Sequence, residues 1–370
     1  MSCIEGIISL ICFRILSLRY NNYNMKKSIL GLGVSMILAV SAVAQDVHFT
    51  QYFTSPLTLN PALTGLVPDD FRFAANFRTQ WASVSSNPYV TGTVSYDMAV
   101  LKGKLPEGDA LGLGVMVLYD KSGTGGLQNT TAALSLAYHK AFGRDKLQHI
   151  SLGVQGYLVQ KHLDFAKLTF EDQFDASTGG TPYTTHENFS NADLSYPDFN
   201  VGAMYSGHIN EHSTAYAGLS YYHLTQPVES FLNDNHQIHS RTTAYLGGSF
   251  DLNENTVLYA SGLYQSQASA TEVLLGAAVG FIMNPGHDLD YQRNTVFYLG
   301  GWYRNGDALA PYVGIEWSRT RIGVSYDVNV SSFSPATNGN GAYEISLLYF
   351  GRINKHEAAP NYNWSCPKLY

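Results

Sequence analysis

Hydrophobic and polar residues alternate along much of the chain, beginning at Phe71. In FRFAANFRTQW, Phe71 and Phe77 fall on one face, whereas Arg72 and Arg78 fall on the other. The same alternation recurs in ALGLGVMVLYD and in AYEISLLYF near the end of the chain. Because successive side chains of a β-strand point to opposite faces, the pattern predicts strands that separate two different environments.

About fourteen such segments can be recognised, and most are about ten residues long. A tilted strand needs about 9–11 residues to cross a bilayer, whereas strands of soluble proteins usually have about 5–6 residues. The predicted strands lie near residues 71–81, 88–99, 109–120, 127–140, 146–160, 198–207, 211–222, 240–251, 256–265, 270–282, 294–304, 308–317, 320–328 and 341–350.

Two architectures fit this alternation: a soluble sandwich or lipocalin-like barrel with its apolar face inward, or a membrane barrel with its apolar face outward. The second is favoured because the minority face carries Gly, Ser, Thr, Arg and Glu, which suit a wide polar lumen. Aromatic residues near segment ends are typical of interfacial girdles; they are Trp81, Tyr119, Tyr138, Trp302 and Trp317. We therefore predict an all-β fold, a transmembrane antiparallel up-and-down β-barrel of about fourteen strands.

The spacing of the strands also predicts the sidedness of the barrel. If both termini are periplasmic, the three longest connections, near 161–197, 223–239 and 329–340, all fall on the outer side. Long loops are typical of that side in outer-membrane barrels. The connections at 100–108 and 283–293 are longer than standard periplasmic turns.

The N-terminal region resembles an export signal. From Met25, two lysines precede an apolar tract that ends in Ala42-Val43-Ala44, a small-x-small cleavage site. We predict a signal peptide at 25–44 with cleavage before Gln45, and we interpret 1–24 as a start codon assigned too early. An irregular segment at 45–70, the barrel at 71–350 and a periplasmic tail at 351–370 complete the predicted organisation.

Composition narrows the function further. Charged residues make up 14% of the chain, against about 25% in typical soluble proteins, and the net charge of −7 gives no support to nucleic-acid binding. Only Cys366 remains after the predicted cleavage, so no internal disulfide is expected. Enzyme motifs such as HExxH, G-x-S-x-G and a P-loop are missing from the sequence. We expect no enzyme activity, no cofactor and no metal.

The chain resembles a known family, the PorP/SprF outer-membrane proteins of the type IX secretion system of Bacteroidota. The resemblance begins with QDVHFTQYFTSPLTLNPALTG at 45–65 and continues through YPDFNVGAMY, AGLSYYHLTQP, GGWYRNGDALAPYVGIEW and AYEISLLYFGR. It ends in a Cys-Pro tail, although Val47-His48 and the final Pro-Lys-Leu-Tyr depart from the family's usual residues.

The resemblance implies an outer-membrane component that assists export or surface attachment of cargo proteins carrying a type IX C-terminal signal, often adhesins used in gliding motility. The implied partners are such a cargo, other periplasmic and outer-membrane type IX secretion components, and the lipid bilayer. The alternative is a passive or ligand-selective channel or transporter, since a polar lumen would serve that function equally. A hydrolase is a more distant third.

The irregular N-terminal segment is a candidate plug for the lumen or a brace for its periplasmic mouth. It lacks strand and helix periodicity, and its prolines restrict the backbone to a fixed path. A flexible periplasmic linker is the alternative. The candidate residues of this plug and family motif are Gln51, Tyr52, Pro56, Asn60, Pro61, Ala62 and Gly65.

Charged residues on the polar face form a second candidate set. Opposite charges inside a barrel usually pair across the lumen and make it rigid, but a role in gripping cargo is also open for Arg304 and Asp327. The candidate luminal or partner contacts are Arg78, Arg304, Glu316, Asp327 and Glu344. If the lumen has room, arginine should be tolerated better at Ser325 or Ser346 than at lipid-facing Val324 or Leu347.

Two segments outside the strands complete the candidates. The outer loop at 161–197 interleaves acidic and aromatic residues, and it either packs over the barrel or receives a partner domain; it carries no EF-hand calcium motif. The tail is either a contact for periplasmic machinery or a set of disordered trailing residues. Its candidate contacts are Trp364, Cys366, Pro367 and Tyr370.

Overall fold

The computed structural model describes residues 46–101, 104–175, 177–186, 192–231, 236–283 and 295–353. Within them, fourteen antiparallel strands form one closed barrel in which each strand pairs with its neighbours in sequence. The strands are β1 (Phe71–Gln80), β2 (Tyr89–Val100), β3 (Ala110–Ser122), β4 (Leu127–Phe142), β5 (Gln148–His162), β6 (Asp193–Asn210), β7 (Ser213–Tyr222), β8 (Arg241–Asn253), β9 (Thr256–Gln267), β10 (Ala270–Ile282), β11 (Thr295–Arg304), β12 (Ala308–Trp317), β13 (Thr320–Asn329) and β14 (Asn340–Gly351).

The barrel closes where the first strand meets the last. Strands β1 and β14 are in register from the Phe71–Gly351 pair to the Gln80–Ala342 pair. Closure is obligatory for a sheet in lipid, because each unpaired backbone group facing hydrocarbon would cost several kcal/mol. The predicted fourteen-stranded barrel is confirmed, and the largest shift of a boundary is at β6, which begins at residue 193 instead of 198.

The two faces of the sheet have the predicted chemistry. Val324 exposes 47% of its surface on the outside of the wall, whereas its neighbour Ser325 exposes 2% on the luminal side. The same alternation runs along β14, where Ile345 is exposed and Glu344 is buried. Apolar side chains therefore cover the outer surface of the barrel, and the polar side chains of these strands point into its interior.

The connections give the barrel two different ends. Connections that follow odd-numbered strands include the long segments 163–192, 223–240 and 330–339, and we call this the long-loop end. The opposite end, which we call the short-turn end, contains two-residue turns at 211–212, 254–255 and 318–319. The first residue of β1 and the last residue of β14 also lie at this end. In outer-membrane barrels the long loops are extracellular and the short turns periplasmic.

Helical structure is confined to short pieces outside the strands. The N-terminal segment contains α1 (Pro56–Leu59) between two 3₁₀ turns, and α2 (Ser334–Thr337) lies in the connection between β13 and β14. Two more 3₁₀ turns, Phe165–Lys167 and Glu171–Gln173, lie between β5 and β6. Within the described part of the chain, no helix is long and apolar enough to cross a membrane.

The prediction for Trp302 is wrong. We expected this residue in an interfacial girdle, but it is completely buried in the lumen, where it belongs to an apolar cluster with Tyr259, Tyr298 and Tyr312. Trp317, by contrast, is 70% exposed on the outer surface. The lumen is therefore partly aromatic and densely filled, instead of being a uniformly polar space.

Candidate functional site

The N-terminal segment lies inside the barrel. Every residue from Phe49 to Val67 is buried except Thr58, which is half-buried. We call residues 47–67 the plug. Its path starts in the half of the lumen nearest the long-loop end, beside Arg304 at the end of β11, and reaches the short-turn end beside Arg72 at the start of β1.

Local sequence explains the irregular path of the plug. Pro56 stands in the first turn of α1 and Pro61 in the first turn of the following 3₁₀ helix, where a missing N–H breaks no helical bond. Asn60, which precedes a proline, is extended, and its side-chain oxygen accepts a hydrogen bond from the Ala62 N–H at 2.8 Å. These residues therefore fix two short helical turns in succession, with the extended Asn60 between them.

The first half of the plug, residues 47–54, is bound by a luminal carboxylate. Glu344 of β14 accepts hydrogen bonds from the backbone N–H groups of Thr50 at 2.7 Å and of Gln51 at 2.9 Å. The Gln51 side chain donates to the Ser325 hydroxyl at 2.9 Å and accepts from the Ser346 hydroxyl at 2.7 Å. Two successive backbone amides and one amide side chain are therefore satisfied by the wall.

A cluster of buried charges surrounds this attachment. Arg78 Nη1 lies 3.0 Å from Asp327 Oδ2 and also bonds Glu344, so one arginine joins both carboxylates. Arg304 Nη1 lies 3.1 Å from the same Asp327 oxygen. Arg304 also contacts the hydroxyl of Thr50 in the plug. All four charged side chains are at most 5% exposed, so each charge needs the partners that the cluster supplies.

An aromatic socket holds the next residues of the plug. The ring of Phe53 lies 4.8 Å from that of Trp302 and 5.7 Å from that of Tyr312, centroid to centroid. Trp302 and Tyr312 in turn make an edge-to-face contact at 5.4 Å. The neighbouring Tyr52 donates its hydroxyl to Ser261 of β9 at 2.6 Å. The socket therefore anchors Phe53 by ring packing and Tyr52 by a hydrogen bond.

The second half of the plug, residues 56–67, is bound through its main chain. Gln155, Tyr222, Ser220, Arg72 and His139 donate in turn to the carbonyl groups of residues 57, 58, 59, 63 and 64, at 2.8 to 3.1 Å. Asp97 accepts from the Gly65 N–H at 2.7 Å and pairs with Arg72. The wall thus satisfies polar backbone groups of a segment that has little secondary structure of its own.

Glycines in the wall allow the backbone of the second half to approach closely. A methyl group at Gly112 would lie 1.9 Å from the Thr64 carbonyl oxygen, and one at Gly153 would lie 2.3 Å from the Pro61 carbonyl carbon. Gly65 in the plug faces Gly112 and adopts a φ of +71°, which favours glycine. Asn60 rests against Gly202 and donates to the carbonyl groups of Ala203 and Leu219, each at 3.1 Å.

The structure places the predicted residues as follows. All seven candidate plug residues are buried in the plug. Four of the five charged candidates share one cluster, but Glu316 lies apart near the short-turn end, where it pairs with Arg321. The four tail candidates, Trp364, Cys366, Pro367 and Tyr370, and the predicted leader lie outside the described residues.

Some residues of the site were not singled out from the sequence. His139 was not among the candidates, yet it donates to the Thr64 carbonyl group and contacts the Ser151 hydroxyl at 2.7 Å. Gln155 and Asp97 were not among the candidates. The available signal was strand parity, because Asp97 and Gln155 alternate with outward residues such as Tyr96 and Val154.

The lumen offers little room beside the plug. Ser325 and Ser346 are each 2% exposed and both contact Gln51. A methyl group at the neighbouring Gly323 would already lie 2.7 Å from the Gln51 side-chain oxygen. The condition for the milder effect of arginine at these two serines was free room in the lumen, and this condition is not met because the plug occupies the space.

The long-loop end carries the exposed aromatic residues of the predicted outer loop. Phe174 and Tyr183 are 45% and 55% exposed, and Phe333 of the β13–β14 connection is 41% exposed. Asp172 accepts hydrogen bonds from Thr185 and from the His186 N–H, which ties two parts of the loop together. Among the described residues, no group of three or more His, Cys, Asp or Glu could hold a metal ion.

The chain is similar to several solved structures, although the sequence identities are low. Among solved structures it is similar to the toluene transporter TodX of Pseudomonas putida, with a TM-score of 0.45 and 10% identity over 83% of this chain and 98% of that chain. The toluene transporter TbuX of Ralstonia pickettii gives a TM-score of 0.44 and 11% identity over 80% and 94%. BamA of Haemophilus ducreyi, lacking POTRA domains 1–3, gives a TM-score of 0.38 and 9% identity over 76% of this chain and 70% of that chain.

A search of curated proteins finds no significant match. The family model for the type IX secretion system membrane protein PorP/SprF matches residues 41–349. This match extends from before the plug almost to the end of β14. The chain therefore belongs to the PorP/SprF family of type IX secretion system membrane proteins.

Proposed function

We propose that this outer-membrane barrel is a docking partner of the type IX secretion system. It binds a secreted cargo protein that carries a C-terminal signal, such as an adhesin used in gliding motility, and assists its export or its attachment to the cell surface. Removal of a signal peptide before Gln45 delivers the chain to the outer membrane, and periplasmic secretion components contact its tail. The function consists of recognition, without any bond chemistry.

The occupied lumen is the observation that carries this proposal. The plug is buried from Phe49 to Val67, and its backbone is bound by side chains from opposite walls of the barrel. A channel would need the whole plug to leave, including residues 56–67, whose backbone is hydrogen-bonded to the wall and lies against Gly112 and Gly153. Docking needs only an accessible surface, and the exposed aromatic residues of the long loops provide one.

Exposed aromatic residues suit a protein partner. Tyr and Phe side chains bury a large area at a low cost in conformational entropy, and they are enriched in the energetic centres of interfaces. Phe174 and Tyr183 lie in the same connection between β5 and β6, at the end of the barrel that faces the cell exterior in outer-membrane barrels. We therefore assign the cargo contact to this loop.

The test is affinity capture of the tagged full-length protein from native outer membranes, followed by mass spectrometry. We expect a co-purifying protein with a type IX C-terminal signal, and we expect the double substitution Phe174→Ser and Tyr183→Ser to reduce its recovery at least tenfold. The control is Thr181→Ala with Thr184→Ala, two exposed residues of the same loop, which should leave recovery unchanged.

Planar-bilayer recording separates docking from transport. We expect no steady conductance from the unsubstituted protein because the plug fills the lumen. A steady open pore that conducts without any cargo would contradict the docking proposal and favour a channel, as would an intact preparation that captures no secreted protein.

A further inference from the structure

The two halves of the plug are bound by different walls of the barrel. Residues 50–53 contact β1, β9 and β11–β14, through Arg78, Ser261 and Glu344 among others. Residues 57–65 contact β2–β8 and the start of β1. Ser55 joins the halves and reaches Thr93 of β2 at 3.3 Å. The plug therefore spans the lumen, with one attachment on each side.

The charges around the first half are already paired without it. Arg78 bonds Asp327 and Glu344, and Arg304 bonds Asp327 and, at 2.9 Å, Asp307. Departure of residues 47–54 would remove hydrogen bonds to Glu344, Asp327 and Arg304, the contact of His48 with Glu272 and the burial of three aromatic rings. Each of these wall charges would still keep an oppositely charged partner in the wall, because Glu272 also faces Arg304. An unpaired buried charge is the costly outcome in such clusters, so this half is the easier one to release.

The second half of the plug, residues 56–67, is harder to release from the lumen. It continues directly into β1 through Asp69 and Asp70, and Asp69 is held by Arg352 at 2.8 Å. Its backbone presses on Gly112 and Gly153, where even a methyl group would not fit. Its release would leave the Arg72–Asp97 pair and four other polar side chains of the wall without their backbone partners.

We propose that the first half of the plug is the exchangeable occupant of a peptide-binding site in the lumen. When residues 47–54 turn away about Ser55, the vacated site takes an extended segment of a partner chain. That segment must present two successive backbone N–H groups to Glu344 and, two residues further on, an aromatic ring to the socket of Trp302 and Tyr312. The proposal deepens the docking function and rests on it, since the segment would belong to the cargo.

The chemistry of the site defines its ligand. The Glu344 carboxylate accepts from backbone amides, which every non-proline residue supplies, so this contact selects an extended main chain and not a particular side chain. Ser325 and Ser346 add an amide-sized pocket beside it. The ring socket then selects phenylalanine or tyrosine. The preferred ligand is an uncharged segment with Gln or Asn before an aromatic pair.

The test is binding of a fluorescent peptide, HFTQYFTS (residues 48–55), to the detergent-solubilised full-length protein. In the unsubstituted protein the first half of the plug competes with the peptide for the site. The apparent affinity for the peptide is therefore reduced in proportion to the fraction of molecules whose site is open. Phe53→Ala weakens the resident and should tighten peptide binding at least tenfold. Leu57→Ala, a buried residue of the second half, is the matched control and should change the affinity less than twofold.

Trp302→Leu should abolish the binding because it removes the larger wall of the socket. Equal affinities for the unsubstituted and Phe53→Ala proteins, or binding that survives Trp302→Leu, would overturn the proposal. The peptide belongs to this chain, so the result does not depend on any cargo. Loss of cargo capture with intact peptide exchange would instead count against the docking function.

Hydrogen exchange gives a second readout that needs no substitution. The amides of Thr50 and Gln51 and the amide of Gly65 each donate to a buried luminal carboxylate, Glu344 or Asp97. If only the first half leaves its site, the amides of Thr50 and Gln51 should exchange at least tenfold faster than the amide of Gly65, after correction for intrinsic rates. Equal protection of the two halves would contradict it.

Discussion

Replacing Gly202 by alanine tests whether the plug occupies the lumen. The substitution should lower the free energy of unfolding if the plug is present and raise it if the lumen is empty. Gly202 lies on the luminal face of β6, directly against the side chain of Asn60. A methyl group there would lie 1.8 Å from Asn60 Oδ1 and 2.8 Å from its Cγ. Since these distances are far below van der Waals contact, the Asn60 side chain would have to move.

The cost follows from what Asn60 holds. Its side chain accepts from the Ala62 N–H and donates to the carbonyl groups of Ala203 and Leu219 and to the Tyr245 hydroxyl. Each lost bond costs about 0.5–1.5 kcal/mol net, and an extra methyl group in a filled interior costs about 1–3 kcal/mol. With partial relaxation, we expect Gly202→Ala to lower the free energy of unfolding by about 2–4 kcal/mol.

An empty lumen predicts the opposite sign. Alanine is favoured over glycine inside a strand by about 0.5–1 kcal/mol, so without the plug the substitution should stabilise the barrel. Gly92→Ala is the matched control, because its methyl group would have only the Asn76 carbonyl oxygen nearby, at 3.8 Å. Reversible urea unfolding in lipid vesicles measures both variants. Stabilisation by Gly202→Ala would refute the assignment of the plug to this wall.

Further predictions concern the faces, the charge cluster and the outer loop. Val324→Arg, near the middle of β13 on the lipid side, should cost about 2–4 kcal/mol of unfolding free energy. Ser325→Arg should also destabilise the barrel, because Gln51 occupies its space; a neutral effect there would contradict the filled lumen. Glu344→Gln should lower the free energy of unfolding by about 1–3 kcal/mol, since the new NH2 group cannot accept a hydrogen bond and leaves the buried N–H of Thr50 or Gln51 without an acceptor, whereas exposed Glu254→Gln should change it by less than about 0.5 kcal/mol. In the outer loop, the His186 N–H donates to Asp172 and Thr185 adds a second bond, which lowers the pKa of the Asp172 carboxyl below its usual value. The hydrogen bonds of Asp172 should be fully present above the pKa that its carboxyl has in the unfolded chain, and they should be lost as the pH falls through the lowered pKa of the folded protein. NMR titration of the Asp172 carboxyl checks this, and an ordinary pKa would contradict it.

The strands could be predicted from the sequence because lipid imposes a strict rule on each of them. Residues such as Val324 and Ile345 must be apolar, and their neighbours Ser325 and Glu344 are freed from that requirement. For Trp302, a position near the end of a strand suggests the interfacial girdle, but the alternation of β11 places its side chain in the lumen. It is two residues from Arg304, so both side chains point to the same side of the wall.

The plug contacts could not be predicted in the same way. The partners of Thr50 and Gln51 on β13 and β14 are more than 270 positions away in the chain, and no periodicity connects them. Strand parity shows that Glu344 and Asp327 face inward, but it does not show what fills the interior. The irregular stretch with Asn60-Pro61 was recognisable as a fixed path, whereas the wall that receives it depends on closure of all fourteen strands.

Limited proteolysis with chymotrypsin tests the central claim, that the N-terminal segment is packed inside a lipid-facing barrel, most directly. Phe49, Tyr52 and Phe53 are cleavage sites in the plug, and exposed Phe174 and Tyr183 in the outer loop serve as internal controls. In the detergent-solubilised protein, we predict that the two loop residues are cleaved much faster than the three plug residues, which a protease reaches only while the first half is out of its site. Cleavage after Tyr52 or Phe53 as fast as after Tyr183 would contradict the account.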